Sequence, residues 1–184
     1  MKKMVVAVLL VMIAQFSYAD LNVGLGVGQS NYEWNGEGFD SGNAFELNVA
    51  YFISTRVGVE LAYNDLGDAH GRNFEIATRG TSLGVTGNMP LADRVQLFAK
   101  LAFMDYQSTL TADSPIFLEG FYRASNGSPV IQPVNKVQLK GEDLMSSIGL
   151  SFQVNPAASV YLRYSHYDFD QSLSAWMAGV SYAL

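Results

Sequence analysis

Large apolar side chains recur at every second position along most of the chain, with small or polar residues between them: Leu21, Val23, Leu25 and Val27, then Phe45, Leu47, Val49 and Tyr51, then Val57, Val59, Leu61 and Tyr63. A period of two marks strands with one apolar face. The pattern returns eight times and predicts strands over residues 21–34, 43–53, 56–64, 74–87, 95–111, 143–154, 159–168 and 173–184. Connectors alternate in length. Those at 54–55, 88–94 and 155–158 are short, two with a turn proline, Pro90 and Pro156. Between them lie 35–42, 65–73, a long 112–142 and a short 169–172. The long one holds Pro115, Pro129 and Pro133 and reads as a mobile loop.

The apolar set continues at alternate positions through Leu83 and Val85, Val95 to Phe103, Ile148 to Val154, Val160 to Tyr164 and Trp176 to Leu184, and it contains no charge. The complementary set is small or polar. It includes Gly24, Gly26 and Gly28, Asn48, Thr86, Ser147 and Ser151, and four charges, Glu46, Glu60, Lys100 and Arg163. An eight-stranded closed sheet has an interior that just holds side chains, so the large aliphatics point out and the small set points in. The three alternating glycines then face a narrow lumen occupied by other strands' side chains. A soluble ligand-carrying barrel would reverse the two faces.

An outward face free of charge on every strand fits hydrocarbon, where a charge at mid-depth costs about 2–4 kcal/mol. A strand tilted by about 40° climbs roughly 2.6 Å per residue, which puts the outward Asp105 about 26 Å above Val95, at the edge of an apolar band about 25 Å tall. Outward aromatics fall into two belts, Tyr51, Phe152 and Tyr182 near the short turns, and Tyr63, Phe103, Tyr164 and Trp176 near the loops, as interfacial aromatics do. The expected fold is all-β: an eight-stranded antiparallel up-and-down transmembrane β-barrel over residues 20–184.

The N-terminus follows a different pattern. Lys2 and Lys3 precede an apolar run from Met4 to Ala14, and Ser17-Tyr18-Ala19 follows. This is the layout of a secretory signal peptide, residues 1–19, cleaved after Ala19. Its 11 apolar residues fall short of the about 20 that a spanning helix needs. The remaining 165 residues suit eight membrane strands with loops. They carry 9 positive and 17 negative side chains, which argues against a nucleic-acid partner. The chain has no cysteine, so a disulfide scaffold and a thiolate zinc site are excluded.

The four inward charges balance two against two. An unpaired buried charge is far costlier than a paired one, so they are expected to form a connected network, with Glu60 and Arg163 as one pair and a structural plug as its role. Other chemistry has weak support. Gly24-x-Gly26-x-Gly28 lies within a strand and opens no helix, unlike a nucleotide loop. The acidic residues Glu33, Glu37, Asp40, Asp65 and Asp68 lack a calcium-loop spacing. His70 falls in a loop. Ser165 and His166 are adjacent and should point to opposite faces, which disfavours a serine hydrolase. No cofactor is expected. Phe117, Phe121, Tyr122 and Arg123 in the long connector are the expected contact surface, because aromatics and arginine anchor interfaces.

Several segments are similar to one family. Gly58-Val59-Glu60-Leu61-Ala62-Tyr63-Asn64-Asp65-Leu66-Gly67 resembles the third strand of the OmpA-like eight-stranded outer-membrane barrels. Pro90-Leu91-Ala92-Asp93 leading into Leu97-Phe98-Ala99-Lys100-Leu101, and Asn155-Pro156 leading into Leu162-Arg163-Tyr164, resemble it too. The ending Gly179-Val180-Ser181-Tyr182-Ala183-Leu184 is similar to the family's last strand and to its C-terminal assembly signal, carried by Gly179, Tyr182 and Leu184, with Leu184 where phenylalanine is usual.

The resemblance implies an interior Glu–Arg pair at Glu60 and Arg163 and an inward basic position at Lys100. Ser151 and Thr86 stand where the family often has a second charged pair. Larger members carry a peptidoglycan-binding domain after the barrel, and that activity is not expected of residues 20–184.

Signal, strand pattern and resemblance together predict a small Gram-negative outer-membrane protein with both mature termini in the periplasm. Its expected partners are outer-membrane lipids and lipopolysaccharide, the barrel assembly machinery with periplasmic chaperones, and a host or cell-surface ligand at the loops. The expected function is non-enzymatic, in envelope integrity or surface adhesion. The alternatives are a narrow porin-like channel, which a filled lumen would limit to low conductance, and a lipid A-modifying hydrolase.

Overall fold

In the computed structural model, the described residues are 20–34, 37–38, 40–71, 74–123, 129–168 and 172–184; side chains are described for these except at 20, 34, 37, 38, 74, 113–123, 129–135 and 172. The expected signal peptide, 1–19, lies outside them. The strands are β1 (Asp20–Trp34), a two-residue β2 (Glu37–Gly38), β3 (Gly42–Phe52), β4 (Val57–His70), β5 (Phe74–Ala92), β6 (Val95–Arg123), β7 (Pro129–Gln153), β8 (Ala158–Asp168) and β9 (Ser172–Ala183). Apart from β2, which caps the end of β1, each long strand pairs antiparallel with the next, and β1 pairs with β9. The sheet is therefore a closed eight-stranded antiparallel barrel.

Closure leaves no edge within the wall, and the register fixes which side chains face in. Leu61, Leu83 and Phe103 form one cross-strand row and all three are exposed, Phe103 to 71%. Their sequence neighbours Ala62, Ser82 and Ala102 are buried at 2%. An apolar surface of this extent, wrapped around the barrel from Leu25 to Val180, is far beyond what a water-soluble monomer exposes. It is a surface for hydrocarbon.

The inward glycines make room for specific side chains. A Cβ on Gly24 would strike the Asn48 amide, and one on Gly26 would come within 2.6 Å of the Tyr161 hydroxyl. Gly28 lies so close to β9 that a Cβ would overlap the Trp176 carbonyl. Gly26→Val is expected to lower barrel stability by about 1–3 kcal/mol through overpacking, read from urea unfolding in detergent. Unchanged stability would mean that Tyr161 can move aside. Gly67 has a different role: it sits at φ +72° in the bulge between Asp65 and Asp68, a conformation that glycine adopts without strain.

Three expectations about connectors are corrected. In 65–73, residues 65–70 continue β4, so His70 ends a strand and is not in a loop. Residues 112–142 are not mainly loop. β6 and β7 run on as a paired ladder to Arg123 and Pro129, with register shifts at Thr111/Ile116 and Leu118/Tyr122. Proline is tolerated at such irregularities and on edges, and among the described residues the β7–β8 pairing ends at Met145. The 88–94 connector is likewise mostly strand, since β5 continues to Ala92 and only a tight turn at Asp93-Arg94 separates it from β6.

Candidate functional site

The lumen has three tiers, ordered by the direction of the strands. At the short-turn end is a polar vestibule of about 120 Å³ lined by residues such as Asn22, Asn48, Glu60, Thr86, Gln96 and Tyr161. Above it lies the charge layer. Toward the loop end the lumen is filled by Leu66, Ile76, Met104, Met145, Tyr167, Leu173 and Met177, each at most 1% exposed.

The charge layer is built from four strands. Glu46 on β3 is fully buried and takes a two-pronged pair from Arg163 on β8, Nη1 to Oε1 at 2.7 Å and Nη2 to Oε2 at 2.6 Å. Fork-to-fork contacts of this kind are the strongest that arginine makes. Lys100 on β6 donates to Glu60 Oε1 on β4 at 2.6 Å and lies 3.6 Å from Glu46 Oε2. Asn48 donates its amide to Glu46 Oε1 at 2.7 Å. The Arg163 guanidinium also stacks over Tyr161 at 5.9 Å, and Phe98 meets the same ring edge-on. The four charges sum to zero.

The expected Glu60–Arg163 pair is therefore corrected: among the described residues Arg163 pairs with Glu46, and Glu60 with Lys100. The reason is register. The row from Glu46 runs through Gly26 on β1 and Gly179 on β9 to Tyr161 on β8; the Tyr161 side chain fills the space over both glycines, and Arg163, two residues on, lies over its ring with the guanidinium on Glu46. On the other side, the glycine Gly84 lies beside Glu60 and short Thr86 beside Lys100, which lets Lys100 reach across β5.

Thr86 and Ser151 carry no charge, and both line the vestibule. The sequence pattern places Asn48 inward without giving it a role in the network, and it does not mark Tyr161 or the methionine tier. A signal for the methionines was present: Met104, Met145 and Met177 each follow a large outward residue, Phe103, Leu144 and Trp176, so both faces turn apolar at that height.

Ser165 is fully buried and bonds Ser147 at 2.9 Å, whereas His166 is exposed on the outer wall. Nothing in that arrangement lets the imidazole reach the hydroxyl. Among the described residues no group of three or more His, Asp or Glu side chains is placed to hold a metal. His70 is exposed, and its carbonyl accepts the Asp40 N–H.

Phe117, Tyr122 and Arg123 occupy the far end of the β6–β7 ladder, where their backbones pair with Pro133, Val130 and Pro129; Phe121 falls in the register shift beside them. Their side chains lie outside the described set. Gly179 packs against Tyr161, while Tyr182 and Leu184 face outward on the strand that closes the barrel, and the Leu184 N–H bonds the Leu21 carbonyl.

A sequence profile for the outer membrane protein beta-barrel domain matches residues 4–183. No curated protein matches the chain. Among solved structures, it is similar to neisserial surface protein A, with TM-score 0.62 and 12% identity over 91% of this chain and all of that one. It is also similar to Ail of Yersinia pestis, solved with the heparin analogue sucrose octasulfate, with TM-score 0.57 and 16% identity over 90% of this chain and 99% of that one. A de novo designed transmembrane barrel gives TM-score 0.53 at 11% identity, over 90% of this chain and 95% of that one. The likeness at such identities is one of fold, and a designed barrel shares it.

Proposed function

Because the chain belongs to the outer membrane protein beta-barrel domain family and is a small outer-membrane barrel, we propose that it is a non-enzymatic envelope protein working through surface contact at its loop end. The observation that carries this reading is the β6–β7 ladder. It extends well past the neighbouring strands, and among the described residues its β7 edge from Leu144 upward pairs with no strand besides β6. An unpaired edge is a template for strand addition, and Phe117, Phe121, Tyr122 and Arg123 lie toward its tip. Outward Arg79, Lys136 and Lys140 stand at its base, all exposed. They suit an anionic surface ligand, the class to which Ail's sulfated sugar belongs.

In this reading residues 1–19 are a signal peptide, both mature termini are periplasmic, and Gly179, Tyr182 and Leu184 present the closing strand to the assembly machinery. The charge layer and the methionine tier act as a structural plug, which supports this reading over a porin-like channel. The test replaces residues 113–135 with a short Asn-Gly turn. Adherence of expressing cells to sulfated-glycan surfaces is expected to fall to that of cells lacking the protein, while the heat-dependent gel shift of the folded barrel stays. Unchanged adherence would overturn the proposal.

A further inference from the structure

Among the glycines whose surroundings are described, Gly87 stands apart. At every other one a Cβ would come within 3.0 Å of another atom, but at Gly87 it would meet only the Arg56 carbonyl at 3.8 Å. No crowding requires a glycine there, and a glycine weakens a strand. Its side is the outward one: Leu83, Val85 and Met89, at the same parity on β5, are all about half exposed. Its cross-strand neighbours are Val57 and the small Ala99.

The result is a notch of about 340 Å³ in the hydrocarbon-facing wall, walled by Val57, Met89 and Leu97 and bordered by Arg56. Arg56 is exposed in the β3–β4 turn, and its backbone is held beside the notch by the Asn88 N–H bonding its carbonyl at 2.7 Å. Among the described residues its guanidinium joins no ion pair, whereas the two inward cations, Lys100 and Arg163, are both paired.

We infer that this notch is a binding site for one anionic phospholipid, with an acyl chain lying over Gly87 and Ala99 and the phosphate on Arg56. The occupant follows from two features. The notch opens to the bilayer, so its natural filler is a chain of methylenes. Its one charged border is an arginine outside any ion pair of the described residues, which favours a phosphate oxyanion. The inference rests on the membrane placement of the barrel and, for the periplasmic leaflet, on the proposed orientation.

The test uses protein extracted from membranes and exposed to equal amounts of phosphatidylglycerol and phosphatidylcholine in detergent, with bound lipid counted by native mass spectrometry. One phosphatidylglycerol is expected to be retained. Gly87→Leu, which fills the notch without a clash, and Arg56→Gln, which removes the cation, should each lower that occupancy about tenfold, with the heat-dependent gel shift unchanged in both. Equal retention of the two lipids, or occupancy indifferent to both substitutions, would overturn the site. So would a wild-type dimer abolished by Gly87→Leu, since small residues also let two copies approach closely. Loss of the gel shift in the wild type would instead count against the barrel reading.

Discussion

Glu46→Ala is expected to lower the unfolding free energy by about 3–5 kcal/mol, the usual cost of breaking a buried ion pair from one side. Both of the guanidinium's carboxylate contacts go to Glu46, and Arg163 is 2% exposed. The variant leaves that cation in the lumen with no carboxylate, and Lys100 with Glu60 alone. The damage comes from the stranded charge more than from the lost bond. Removing the charge as well should therefore restore most of the stability, and Glu46→Ala combined with Arg163→Met is expected to recover it, because an apolar replacement of a buried pair is often near neutral. Glu60→Ala should cost less, since Glu60 is partly open to the vestibule and Lys100 keeps Glu46 within 3.6 Å. Urea unfolding in detergent micelles, followed by tryptophan fluorescence, separates the three. A single variant as stable as the wild type would show that the layer does not hold the barrel together.

The same layer marks how far the sequence can be read. Which residues face inward was legible from parity alone, because hydrocarbon on one side and a cramped lumen on the other keep the period of two clean through the middle of each strand. Which inward charge meets which was not. Partners across a lumen depend on the stagger between strands, and here the row that starts at Glu46 meets β8 at Tyr161, two residues from Arg163. At the loop end the period itself fades. Phe103-Met104 and Leu144-Met145 are apolar on both faces because the lumen there is packed with apolar side chains, and alternation cannot report a wall that is apolar on either side. The ladder leaves the apolar band near Asp105, the contrast between faces is lost by Thr111, and Pro115, Pro129 and Pro133 read as breaks. The structure absorbs Pro115 in a register shift, and Pro129 and Pro133 in the part of β7 that pairs with no β8 residue among those described.

Leu101→Arg decides whether the outward face meets lipid. Leu101 lies on β6, 55% exposed, between Val85 on β5 and Ser146 on β7, and six residues of climb put it roughly 16 Å above Val95, near the middle of an apolar band about 25 Å tall. On a water-facing surface such a substitution stays within about 0.5 kcal/mol. At the depth of a bilayer's centre it costs about 2–4 kcal/mol, because the guanidinium must be carried into hydrocarbon or drag water with it. Asp105→Arg supplies the internal control. Asp105 is also outward and exposed, but it sits near the loop-side edge of the apolar band, where a cation costs about 0–1 kcal/mol. In phospholipid vesicles the expected result is a large stability loss for Leu101→Arg and almost none for Asp105→Arg. The gap should narrow in short-chain detergent, whose thin apolar shell lets a long side chain reach water. Equal, small effects at both positions would mean that no hydrocarbon surrounds the barrel. Equal, large ones would place the band's edge beyond Asp105 and lengthen the membrane-embedded part of β5 and β6 toward the loops.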